Sequence, residues 1–211
     1  MTMHETVEHE FTRAPMETKL IAVATRLFAE KGFDRTTVAD IVKEAGVTKG
    51  AMYHYFASKD DLLSEVYTRV LRVQMRRLEE IADSTAPVLD RIRAAAADVA
   101  TTSIENIDDT MIFWRSMHQL GEEQQSAVRR DRREYHSRFK ALLEEAVDAG
   151  QVRTDIPIDI VIDYFFGAVH HVTSWYHADG SLTPRGVGDY FAELLMTSLG
   201  EMKGIQNGGW Q

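Results

Sequence analysis

Apolar residues recur along this chain at the three-and-four spacing of an α-helix, and no segment has the strict alternation of a strand. From Met16 to Lys31 the residues Leu20, Ala24, Leu27 and Phe28 fall on one helical face. Gly32 then suits the position after a helix end, where a left-handed backbone costs glycine nothing. Thr36 or Thr37 can cap a second helix with Val38, Ile41, Val42 and Ala45 turned inward, and Gly46 interrupts it. A short third helix is predicted from about Thr48, capped by that hydroxyl. Ser58 caps a fourth, with Asp60 and Asp61 in its first turn, where carboxylates oppose the helix dipole favourably. Leu62, Leu63, Val66, Tyr67, Val70 and Leu71 carry the apolar stripe of this helix toward about Ile81.

The remainder reads as helices throughout. Pro87 opens one that reaches about Asn106, Asp108 opens a shorter one through Met117, and Glu122 to Ala149 is long and ends at Gly150. Pro157 opens the next, with Ile160, Val161, Tyr164, Phe165, Ala168, Val169, Val172 and Trp175 on its apolar stripe, and it should stop near Ala178. Pro184 begins a last helix with Val187, Tyr190, Phe191, Leu194, Leu195 and Leu199. The expected class is therefore all-α. The expected organisation is a flexible arm over 1–15, a three-helix domain over 16–62, a larger helical domain over 63–203, and a flexible tail over 204–211.

Composition narrows the function. The 211 residues contain no cysteine, which excludes a disulfide framework, a thiolate zinc site and a thiol nucleophile. No run of 18 apolar residues and no secretory leader is visible, so the expectation is a cytoplasmic protein without a membrane partner. The net charge of −9 argues against non-specific coating of nucleic acid. The acid is unevenly placed, however. Residues 71–211 hold 22 Asp and Glu against 15 Lys and Arg, whereas within 45–59 the only charged side chains are Lys49 and Lys59, with His54 between them. That patch can meet a phosphate backbone while the rest of the surface avoids it.

Residues 38–57, VADIVKEAGVTKGAMYHYFA, have the layout of a helix-turn-helix. Ile41, Val42, Val47 and Met52 supply the apolar crossing of two helices, and Gly46 stands where the chain reverses. The second helix can then present Thr48, Lys49, Gly50, Tyr53 and His54 outward. Small residues at Gly50 and Ala51 let its backbone approach a major groove, and a helix N-terminus near Thr48 aims amides at phosphate.

The stretch from Glu17 to Tyr67 resembles the DNA-binding region of the TetR family of regulators. It carries that family's LF-x-x-x-GF, T-T-V-x-D-I, A-G-V-x-K-G-x-x-Y-x-Y-F and S-K-x-x-L elements. The resemblance implies that Thr37, Tyr53, His54 and Lys59 contact phosphate, that Lys49 and Gly50 lie near the backbone and base edges, and that Thr48 faces the groove. Tyr55 and Phe56 are expected in the core. Arg13, in the arm, is either disordered or reaches an adjacent minor groove.

Beyond residue 67 the aromatic and histidine content has two readings. Phe113, Trp114, Met117 and His118, with Phe139, Phe165, Phe166, His170, His171, Trp175 and Tyr176, are either core and dimer contact or the lining of an effector pocket, Phe113, Trp114, Met117, His118, Phe139, Phe166 and His170 being the pocket candidates. Arg129, Arg130, Arg132, Arg133 and Arg138 are either a solvated face interleaved with Asp131 and Glu134, or a grip on an anionic head group. The segment from Phe113 to Gly180 is similar to TetR-type regulators of fatty-acid or steroid breakdown that respond to acyl-CoA thioesters. Ser174 departs from that pattern, since it precedes the Trp-Tyr pair where an Arg would help hold a CoA phosphate. His170 and His171 are adjacent and diverge on a helix, so no metal and no cofactor is expected.

One helix-turn-helix contacts few base pairs, so a homodimer on palindromic double-stranded operator DNA is expected, joined through the last two long helices. The family resemblance implies a repressor released by a small-molecule effector, with 16–62 as the helix-turn-helix DNA-binding domain and 63–203 as the ligand-binding and dimerisation domain. An enzyme is the rival from another class, but the chain lacks a nucleophile elbow, a phosphate loop and any catalytic constellation. A purely structural dimeric bundle is the second rival, and an internal cavity would argue against it.

Overall fold

The computed structural model describes residues 15–200. In chain order the helices are α1 (Pro15–Lys31), α2 (Val38–Ala45), α3 (Lys49–Tyr55), α4 (Lys59–Ala82), α5 (Val88–Glu105), α6 (Ile107–Ser116), α7 (Glu122–Asp148), α8 (Ile158–His171) and α9 (Pro184–Leu199). Short 3-10 turns follow α6 and α8, and no strand occurs among the described residues, so the all-α reading holds. The expected arm, with Arg13, and the expected tail lie outside the described residues apart from Pro15.

The chain divides into two compact units. The first holds residues up to 69 together with 108–128, and the second holds 70–107 together with residues from 129 onward.

In the first unit, α1 buries Leu20, Ile21, Ala24, Leu27 and Phe28 and stops at Gly32, whose φ is +86°. Of the two cap candidates, Thr37 is the one used. Its Oγ1 accepts from the Asp40 amide at 3.1 Å, and Asp40 Oδ2 accepts from the Thr37 amide at 2.9 Å, a reciprocal capping box. Thr36 is buried instead, and its hydroxyl donates toward the Gly32 carbonyl at 2.8 Å. Gly46 ends α2 in the left-handed region at φ +65°, which lets the Val47 amide reach back to the Val42 carbonyl at 2.9 Å. Ser58 Oγ accepts from the Asp61 amide at 3.0 Å and starts α4. Farther along, the Tyr67 and Phe113 rings stack with centroids 3.6 Å apart, and Arg69 ion-pairs with buried Asp109.

In the second unit, α5 and α9 run in close contact. A Cβ at Gly188 would collide with Thr101 Oγ1 and lie 2.6 Å from the Ala97 carbonyl oxygen, so only glycine permits this approach. Tyr135, Phe139, Leu142, Leu143 and Ala146 of α7 are buried, as are Val161, Ile162, Phe165, Phe166 and Val169 of α8. The periodicity predicted a helix from Pro157 to Ala178, but α8 ends at His171 and residues 172–174 form a 3-10 turn. Ser174 Oγ donates to the His171 carbonyl at 2.7 Å, and the Trp175 amide turns to the Val172 carbonyl, so the ladder tightens and stops. Trp175, expected on the inward stripe, is 41% exposed as a result. Ile160 and Tyr164 on α8, with Tyr190 and Leu194 on α9, are also exposed.

Candidate nucleic-acid interface

The α3 helix is short, and its two faces are unlike. Thr48 caps it, accepting from the Ala51 amide at 3.1 Å through its hydroxyl. Met52 is fully buried and Phe56, just past the helix, is nearly so. These two anchors leave Lys49, Gly50, Tyr53 and His54 on the exposed side, along with Thr48. Tyr53 is 51% exposed, an unusual position for a large aromatic with no shielding partner on its own helix. Tyr55, expected in the core beside Phe56, is only half-buried and meets the His54 ring edge-on at 5.0 Å. Its position is one residue off the inward face that Met52 and Phe56 define.

Gly50 has no internal explanation. A Cβ there would meet only Thr48 Oγ1, at 3.8 Å, so the fold itself leaves the space open.

Thr37 is exposed at the start of α2, where its hydroxyl donates to Asp40 Oδ2 at 2.6 Å. Hydrogen bonds from the Thr37 side chain and then its backbone hold the Asp40 carboxyl below its ordinary pKa of 3.8. Lys59 is half-buried, and its Nζ donates to the carbonyls of Phe33 at 2.8 Å and Thr36 at 3.0 Å while lying over the Phe33 ring. An ammonium has three N–H donors, so these bonds occupy two of them.

The residues considered for an effector fall in both units. Phe113 is fully buried in the first, with Trp114 edge-on to it at 5.5 Å. Met117 and His118 lie in the 3-10 turn after α6, the histidine exposed. In the second unit Phe139, Phe166 and His170 belong to one aromatic cluster with Tyr135, Phe165 and His136. Sequence reading passed over His136. It stands four residues after Arg132, which places both on one face of α7, and that spacing was the available signal. Burial, then the charge of Arg132, push the His136 imidazole down to about 4, against an opposing pull from Asp163. The same two causes, with His136 third, push His170 down to about 3.

A surface cleft of about 400 Å³ lies beside the end of α7, lined by Glu144, Val147, Arg153, Thr154, Pro157 and Ile158 among others. A hollow of about 40 Å³ opens between α8 and α9 at Tyr164, Phe165, Ala168, Phe191, Leu194 and Leu195. Of the aromatic residues weighed for an effector, Phe165 lines the hollow and none lines the cleft. Among the described residues no three His, Cys, Asp or Glu converge as a metal would require, and no helix is long and apolar enough to cross a membrane.

A glycine turn and the buried anchors Met52 and Phe56, which together fix a short, exposed, carboxylate-free second helix, give the layout of a helix-turn-helix DNA-binding protein. Two family profiles match the chain. Residues 20–66 match the one described as bacterial regulatory proteins of the tetR family, and residues 85–199 match the one described as a tetracyclin repressor-like C-terminal domain. The chain belongs to the TetR family and is a DNA-binding transcriptional regulator, not an enzyme. It is 27% identical over 186 residues to the HTH-type transcriptional repressor KstR2 of Mycobacterium tuberculosis, covering 86% of this chain and 91% of that one. It is 29% identical over 187 residues to KstR2 of Rhodococcus jostii, covering 86% and 90%. The solved structure of the ketosteroid transcriptional regulator KstR2 of M. tuberculosis superposes with a TM-score of 0.78 at 24% identity, covering 90% of this chain and 97% of that one, a likeness of fold.

Proposed function

We propose that this protein is a homodimeric repressor that reads a palindromic operator with α3 and leaves it when a small hydrophobic effector binds the helical region beyond residue 63. The observation that carries the DNA-reading part is the exposed face of α3. Lys49, Tyr53 and His54 project from it, no carboxylate competes with phosphate, and Gly50 leaves room that nothing in the fold requires. Thr48 and Lys49 stand at the groove, with Gly50 giving backbone clearance. Tyr53, His54 and Thr37 bind phosphate, and Lys59 offers its third N–H to phosphate while bracing the turn.

Dimerisation is supported by the apolar side chains left outside. Ile160 and Tyr164, four apart on α8, and Tyr190 and Leu194, four apart on α9, make two adjoining stripes with a hollow between them. A second copy laid on this face forms a four-helix bundle. The continuous helix α4 carries the effector's influence toward the reading head, altering the spacing of the two copies of α3 and with it the affinity for both half-sites together. The relatives described as repressors, one of them as a ketosteroid regulator, direct the effector search to acyl-CoA thioesters of steroid or fatty-acid breakdown.

The test is selection of duplexes from a random pool by the purified chain, followed by titration of the enriched duplex with and without a panel of acyl-CoA thioesters. A palindrome bound by a dimer and released by one of the thioesters is expected. Enrichment of no sequence would overturn the reading.

A further inference from the structure

We propose that Arg35 is a further DNA contact of this regulator: its guanidinium grips a backbone phosphate beside the N-terminal end of α2, flanking the bases that α3 reads. This rests on the DNA-reading role proposed above and adds a residue on which the helix-turn-helix pattern itself is silent.

Arg35 lies exposed in the turn between α1 and α2. Its Nε donates to the Lys31 carbonyl at 2.7 Å, at the C-terminal end of α1. A guanidinium carries five N–H donors, and this bond occupies one of them. The two Nη groups keep the planar fork that suits phosphate, and among the described residues no carboxylate pairs with them. The other arginines of residues 15–69 are differently placed. Arg26 is paired with Glu30 and Glu44, and Arg69 with Asp109. The acidic groups nearest in sequence are also taken: Asp34 accepts from Gln119 Nε2 at 2.9 Å, and Asp40 accepts from the amide and the hydroxyl of Thr37.

The turn presents the guanidinium on the side where a duplex would run. Thr36 is fully buried, its hydroxyl donating to the Gly32 carbonyl at 2.8 Å, so Arg35 and Thr37 emerge on either side of it. Thr37 begins α2, and the first helix of a helix-turn-helix crosses the phosphate backbone. The chain leaving α3 at Tyr55 starts α4 at Lys59, whose ammonium donates to the carbonyls of Phe33 and Thr36, the residues that bracket Asp34 and Arg35. The exposed end of α3, with Tyr53 and His54, is thereby tied to the turn that carries Arg35. The Thr36 amide also donates to the Phe33 carbonyl at 3.1 Å. The backbone under Arg35 is therefore fixed before any DNA arrives, and little ordering entropy is lost on contact.

Capping the last turn of α1 accounts for the Nε bond. It leaves the fork unused, in a chain of net charge −9 whose Arg26 and Arg69 are both neutralised by carboxylates. A phosphate contact there carries no base information. It fixes how the reading head sits on the duplex and strengthens binding to operator and to unrelated DNA alike.

The test uses the full-length chain and the duplex that it enriches from a random pool. Arg35→Gln should weaken binding about tenfold at fixed salt, and by the same factor for duplexes carrying single base changes. The slope of log affinity against log salt should fall by about 0.9 for each copy of the residue engaged. Arg35→Lys, which keeps the charge, should retain most of that slope. In a set of duplexes, each with one phosphate replaced by an uncharged methylphosphonate, one flanking linkage should weaken the native chain when replaced and leave Arg35→Gln unaffected. Melting curves accompany both variants. A lower melting temperature with an unchanged salt slope would assign Arg35 to capping α1 alone, and a loss that varies with base sequence would assign it to a groove. Failure to find a linkage felt only by the native chain would remove the contact. Each of these results overturns the proposal. A native chain that enriches no duplex sinks the regulator reading and this contact together, whereas enrichment with indifference to Arg35 sinks the contact alone.

Discussion

The ammonium of Lys59 donates at 2.8 Å to the carbonyl of Phe33, 26 residues earlier in the chain, and lies 4.0 Å from the centre of that residue's own ring. One charged group thereby closes two carbonyls of the α1–α2 turn and fixes where α4 begins. Replacement by methionine keeps the aliphatic stem and removes the donors. Lys59→Met should lower unfolding stability by about 1–2 kcal/mol, read as a lower urea midpoint with an unchanged slope. An unaltered midpoint would show that the turn holds without it.

The capping box at α2 makes a pH-dependent contribution. The Asp40 carboxyl is held below 3.8 by its bonds with Thr37, so its stabilising effect is complete above that value and disappears as pH falls through the depressed folded-state pKa. Thermal melts of the native chain and of Asp40→Asn should differ at neutral pH and converge in acid. Parallel curves across the whole range would remove the charge from the account.

For the reading head, Lys49→Ala and Tyr53→Ala should each cost operator affinity about tenfold at fixed salt, with melting temperature unchanged because both side chains are exposed. In the lysine variant the slope of log affinity against log salt should also fall by about 1, the signature of one lost phosphate contact. Full affinity in both variants would take them out of the interface.

The close approach of α5 and α9 predicts a penalty for the smallest added side chain. Gly188→Ala would drive a methyl into Thr101 Oγ1 and the Ala97 carbonyl, at an expected cost of about 1–3 kcal/mol. Gly167→Ala on α8, where an added Cβ meets nothing within 4 Å, is the control and should be near neutral for folding. Equal effects at the two positions would contradict the packing described.

Features that depend on a few neighbouring residues were legible in the sequence. Thr48 and Ser58 as caps, Gly32 in the left-handed region, Gly46 and Gly150 as helix ends, and the apolar faces of α1 and α4 all emerge where the spacing placed them. What escaped the sequence is mostly long-range. Nothing near Asp109 announces that it is buried against Arg69, 40 residues away, and nothing near Lys59 marks its ammonium for the turn between α1 and α2. The end of α8 was missed for a different reason. Periodicity continues through Trp175, but a serine hydroxyl and a tightened turn stop the helix, and apolar spacing is blind to both. In the candidate site, outward residues of α3 were readable because Met52 and Phe56 fix the opposite face. The effector residues were not, because a list of aromatics carries no information on which helices bring them together.

The empty space beside Gly50 has a practical meaning. Since the scaffold makes no demand on that position, its side chain could be varied with the surrounding helices undisturbed, and the duplex alone would judge the outcome. A library of small side chains there, combined with changes at the neighbouring lysine and tyrosine, would therefore vary the base pairs preferred with little change to the fold, which makes α3 a replaceable head on a fixed handle.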